Sequence, residues 1–100
     1  MNSQLTVFDG GDTEYQSWLR EHYDGFVLNR RRGKSDSYLV LHRASCPIIS
    51  TYNNMAKPGG FTERNYIKVC STKIEPLKEY ARSIGRSDGS FSGKCSRCSP

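Results

Sequence analysis

The sequence predicts a small α+β domain in which a short, mainly antiparallel, three-stranded sheet is flanked by two helices. Three observations carry this. The runs "FVLNRR" (26–31), "YLVLHR" (38–43) and "YIKVC" (66–70) are rich in β-branched and aromatic residues and bounded by turn-forming or polar stretches. One segment before these runs and one after them space their apolar residues at helical intervals. With 100 residues, of which 35% are apolar, the chain can build only a thin core, so its four cysteines count as a candidate staple.

Residues 1–11 end in "DGG", a breaker, and are expected to form a flexible lead or an edge segment. Asp12 or Thr13 can cap the first helix, in which Tyr15, Trp18, Leu19 and His22 share one face, and Asp24-Gly25 stops it. The strand 26–31 then turns through "RGKSDS" into 38–43 as an antiparallel hairpin. Alternation places Tyr38, Val40 and His42 on one face of that strand and Leu39, Leu41 and Arg43 on the other. A polar stretch, 47–65, contains Lys57-Pro58-Gly59-Gly60 and reads as a long loop. In the third strand Ile67 and Val69 oppose Tyr66, Lys68 and Cys70. The second helix opens near Glu75-Pro76, aligns Leu77, Tyr80, Ala81 and Ile84, and closes at Gly85. A Gly/Ser-rich tail ends in "KCSRCSP" (94–100); neither an internal repeat nor a domain boundary is visible, so residues 12–100 are expected to form one domain.

Charge is unevenly distributed. Residues 1–27 hold one Lys/Arg against five Asp/Glu, a net of −4, whereas residues 28–100 hold 14 against five, a net of +9. A basic body of this kind favours a polyanionic partner, with DNA the expected one. "MNSQLTVFDGGD" has no basic stretch leading into a long apolar run, so the expected location is the cytoplasm, with reduced thiols. No apolar run approaches the roughly 20 residues that cross a bilayer, so no membrane partner is expected.

Reduced cysteines point to a metal. Cys95 and Cys98 form a CxxC, whose two intervening residues let both sulfurs lie about 2.3 Å from one zinc ion. A structural site needs four ligands. His42 and Cys46, with three residues between them in "LHRASC", supply the other two; the competing set is Cys46, Cys70, Cys95 and Cys98, with His42 outside it. A redox role for the CxxC fits poorly, because that motif opens a helix, and here Ser99-Pro100 follow it. Neither a carboxylate pair nor a phosphate-cradling glycine loop occurs in a suitable context, so neither an enzyme nor a small-molecule substrate is expected.

Together, "LHRASC", "YIKVCSTKIEPLKEYARSIGR" and "KCSRCSP", with "DTEYQSWLREHYDGFVLNRRR" upstream, resemble the N-terminal metal-binding domain of the Ada family of DNA alkylation-repair proteins. The likeness spans roughly residues 12–100, interrupted by the 47–65 loop and a lengthened 86–93 segment. It implies a small zinc-stabilised domain in contact with DNA backbone, where one zinc thiolate takes a methyl group from a methylated phosphate. The closing cysteines fall on Cys95 and Cys98 and the second cysteine of the turn on Cys46, while the methyl acceptor falls on His42. A metal-bound imidazole has its lone pair engaged and cannot replace a thiolate nucleophile. The expectation is therefore a zinc-binding module, not a methyltransferase, that contacts DNA through Arg30, Arg31, Arg32, Lys34, Arg43, Lys94 and Arg97, as an accessory to a larger nuclease or repair protein. The alternative is a protein-interaction or structural zinc module whose acidic first helix is the contact face.

Overall fold

The computed structural model describes residues 5–31, 38–49, 66–86, 88–96, 98 and 100. The Lys57-Pro58-Gly59-Gly60 loop, Tyr52, and Arg32, Lys34 and Arg97 lie outside the described residues. The elements run β1 (Thr6–Phe8), α1 (Asp12–Glu21), β2 (Phe26–Arg31), β3 (Leu39–Arg43), a 3-10 turn (Pro47–Ile49), β4 (Tyr66–Ser71), α2 (Ile74–Ser83) and β5 (Gly93–Lys94).

The expected three strands are present within a sheet of five, ordered β1-β4-β2-β3-β5. All pairings are antiparallel except β3 with β5, which is parallel, so the sheet is mixed and the three-stranded antiparallel expectation is corrected. Both additional strands are edges too short to show a period. Thr6–Phe8, in the segment expected to be a lead or an edge, pairs with β4. Gly93–Lys94 has no strand propensity of its own. It is held by its flanks, where the Ser92 N–H donates to Leu39 O and the Cys95 N–H to Leu41 O, both at 2.9 Å.

The helices cover opposite faces of the sheet. On one, Tyr15, Trp18 and Leu19 of α1 pack with Val27, Ala44, Cys46, Ile49 and Cys70. On the other, Leu77 and Ala81 of α2 pack with Leu28, Leu39, Leu41 and Val69. Burial on both faces explains why neighbours such as Val27 and Leu28 are both fully buried instead of alternating.

Two glycines make the turns possible. A Cβ on Gly25 would come within 3.0 Å of Ser71 O and of the Trp18 ring, so only glycine lets α1 turn this tightly into β2. Gly85, at φ +116°, ends α2: its N–H donates to Arg82 O and that of Arg86 to Ala81 O, the paired bonds of a Schellman cap. Asp12 does not cap α1 as expected; Gly11 holds the cap position and Asp12 is the first helical residue, buried.

Candidate metal centre

The site forms where β3 ends. His42 projects from β3 onto the α1 face, where only 4% of it is exposed. The chain then reverses: Ala44 N–H donates to Gly25 O at 2.9 Å and Cys46 N–H to Arg43 O at 3.0 Å, which returns the Cys46 thiol beneath α1. Tyr15 secures the following turn, its hydroxyl donating to Ile49 O at 2.7 Å. Burial raises the Tyr15 phenol well above 10.0, keeping it a neutral donor.

The C-terminal pair arrives from the other side. Cys95 follows β5 directly and its N–H is fixed to Leu41 O. Arg43 grips Cys98 twice: its backbone N–H lies 3.3 Å from the Cys98 sulfur and its Nε–H donates to the Cys98 carbonyl at 2.9 Å.

The ligand atoms of His42, Cys46, Cys95 and Cys98 all lie within 4.8 Å of one another. The Cys46 and Cys95 sulfurs are 3.9 Å apart. A tetrahedron of sulfurs about 2.3 Å from zinc has S···S edges of about 3.8 Å, so this spacing suits thiolates sharing one ion. His42 supplies an independent test. Its Nδ1 is buried and makes no hydrogen bond with any described residue, a costly state unless something accepts the lone pair. Burial, reinforced by the charge of Lys68, pushes its pKa down to about 4, so the imidazole is neutral at pH 7 and its lone pair is available. The residues present fit a zinc ion.

Cys70 stands apart from this group. It pairs across the sheet with Val27, which pairs in turn with His42, so two strand spacings, roughly 10 Å, separate Cys70 from His42. The thiol is fully buried, and burial raises its pKa well above 9.0, leaving it a neutral apolar filler. The four-cysteine alternative is not assembled.

Among the described residues, the basic side chains do not form one group. Arg30 turns onto the α2 face, where it donates to the Tyr80 hydroxyl at 2.7 Å and lies 5.8 Å from the centre of that ring. Arg31 is exposed at the far end of β2, roughly 17 Å of strand from Arg43 at the metal end. Arg43 is exposed but already engaged with Cys98. Lys94 is exposed beside Leu41, on the face opposite His42.

Sequence reasoning missed Lys68, which is 3% exposed, donates to Asn29 Oδ1 at 2.8 Å and lies over the Tyr15 and Tyr66 rings. Alternation placed it on one face with Cys70, but only the packing of α1, which brings buried Asp12 into electrostatic range, shows why a lysine is tolerated there.

No protein-family model, curated protein or solved structure matches this chain. Its chemistry is therefore argued from the centre itself.

Proposed function

We propose that His42, Cys46, Cys95 and Cys98 hold one Zn2+ in a closed structural site, and that the module so stapled contacts DNA backbone without chemistry. The observation that carries the zinc reading is the convergence of one ligand atom from each of His42, Cys46, Cys95 and Cys98 within 4.8 Å, on a histidine whose buried Nδ1 makes no hydrogen bond with any described residue. Four protein ligands leave no open position for water, so the ion would tie β3 and the C-terminal segment together and not hydrolyse anything. The motif likeness to the Ada-family domain supports the same reading. With His42 at the position of the methyl-accepting thiolate, the module keeps the scaffold without that family's nucleophile.

The DNA reading rests on the +9 net charge of residues 28–100 and on exposed Arg31 and Arg43, together with Arg32, Lys34 and Arg97. Such contacts neutralise phosphates regardless of sequence and weaken steeply with salt. A second reading, a protein-interaction module, is favoured by the internal engagement of Arg30 and Arg43 and by Glu14 and Glu21 exposed on α1. The acidic face is smaller than expected, since Asp12 is buried.

A salt titration separates the two. Duplex binding should fall with a log–log slope that drops by about 2 in the double variant Arg31→Glu, Arg32→Glu. Affinity that cannot be measured at low salt, or a slope the variant leaves unchanged, removes DNA and leaves the protein-interaction reading.

A further inference from the structure

Between α2 and the β3–β5 edge, on the face opposite the metal centre, runs a groove of about 390 Å³. Leu41, Ile74 and Phe91 give it an apolar floor, and half-exposed Lys78 and exposed Lys94 also line it. We propose that this groove binds a small amphipathic organic anion, a carboxylate carrying an apolar body of about ten carbons.

Size, polarity and charge each narrow the ligand. The volume lies in the range of small-molecule sites, about 300–1,000 Å³. At roughly 30 Å³ per heavy atom, the liquid-water share, it holds about 13 such atoms. The lining is mainly apolar, and its one hydroxyl, that of Ser90, accepts from Arg86 Nη2 at 3.3 Å and keeps only its O–H to offer a ligand. A nucleobase would leave its polar edge unsatisfied against such a floor, whereas an alkyl or aryl body loses nothing there.

Among the described residues, the lining contains two lysines and no carboxylate. Lys78 does meet Glu75 at 3.6 Å, but this i,i+3 pair is exposed on both sides, holds little energy and leaves the ammonium accessible to a second anion. Access is open beside β5, since a Cβ built on Gly93 would meet nothing within 4 Å. None of the four proposed zinc ligands lines the groove, so the groove reading uses no residue of the metal group.

The test is a titration of the ¹⁵N-labelled full chain with decanoate, kept below its micelle concentration, followed by amide shifts. Saturable shifts confined to Leu41, Ile74, Phe91 and Gly93 are expected, with a dissociation constant on the order of 1 mM for about 12 heavy atoms. Acetate, which has the charge without the body, should produce none. Reversing both lysines, Lys78→Glu with Lys94→Glu, should weaken decanoate binding about tenfold. Absence of saturation, shifts scattered over the surface, or equal binding by the charge-reversed chain overturns the proposal. So does a peptide of alternating Leu and Asp that shifts the β5 amides where decanoate does not, which would assign the groove to a protein partner.

Discussion

Replacing His42 by Ala removes one of four proposed zinc ligands together with a side chain that is 96% buried, and the size of the effect can be worked through. Structural zinc contributes about 10–16 kcal/mol of apparent binding energy at pH 7 in small zinc domains. If one ligand carries about a quarter of that, its loss weakens zinc binding by about 3–4 kcal/mol, a factor of 10²–10³. With zinc saturating the wild type, a thousandfold loss of affinity withdraws about 4 kcal/mol of linked stability. For a domain of this length, each kcal/mol corresponds to about 4–8 °C in Tm, so a fall of about 15–30 °C is expected. The assay is metal content by mass spectrometry beside thermal unfolding with and without chelator, on wild type, His42→Ala and Cys70→Ser. Wild type and Cys70→Ser should each carry one zinc per chain, and chelator should lower their Tm steeply. The same chelator should leave His42→Ala almost unmoved. Zinc retained at full stoichiometry by His42→Ala, zinc lost from Cys70→Ser, or a wild type indifferent to chelator would refute the assignment.

Chelation should also act locally. The Ser92 and Cys95 amides, which bind β5 to β3, should exchange with solvent much faster in the chelated protein, while the β2 and β4 amides keep their protection; uniform acceleration would mean that β5 does not depend on the metal. Lys68 should give a pH signature. Burial holds its pKa down at about 8 against an unperturbed 10.5, with Cys70 and Asp12 pulling the other way. Over that interval the unfolded chain binds more protons than the folded one, so this group adds stability as pH rises through about 8 and its contribution levels off above 10.5. The difference in unfolding free energy between wild type and Lys68→Met should therefore grow over this window in favour of wild type. A flat difference would show that the amine stays charged in the folded state.

The strands 26–31, 38–43 and 66–70 were legible because each is long enough to show β-forming residues between breakers, and they fold as Phe26–Arg31, Leu39–Arg43 and Tyr66–Ser71. Both helices were legible from Trp18, Leu19, Leu77 and Ala81 at helical spacing, all of which are buried. The edge strands were not, since three residues and two residues carry no period, and β5 owes its existence to tertiary ties at Ser92 and Cys95. Local spacing nominated His42, Cys46, Cys95 and Cys98. What separated them from Cys70 was sheet order: because β4 pairs with β2 and not with β3, Val27 lies between Cys70 and His42, and no local pattern encodes that. Arg30 illustrates the same limit. It reads as a hairpin cation, but its parity along β2 points it at Tyr80 of a helix fifty residues later.

Strand alternation gives this small domain two chemistries on one strand. Leu41 faces α2 and helps floor the groove, while His42, the next residue, faces α1 and the metal centre. The same step recurs at the end of β5, where Lys94 lines the groove and the next residue, Cys95, belongs to the candidate metal group. The two sites therefore share the β3–β5 pairing, and anything that strengthens that pairing strengthens both. A ligand in the groove that held Lys94 against α2 would favour the arrangement in which the Cys95 N–H donates to Leu41 O, and a metal that fixed Cys95 would favour a formed groove. If both proposed ligands bind, linkage requires that any coupling between them be reciprocal, the factor by which zinc would tighten the groove equalling the factor by which the anion would tighten zinc.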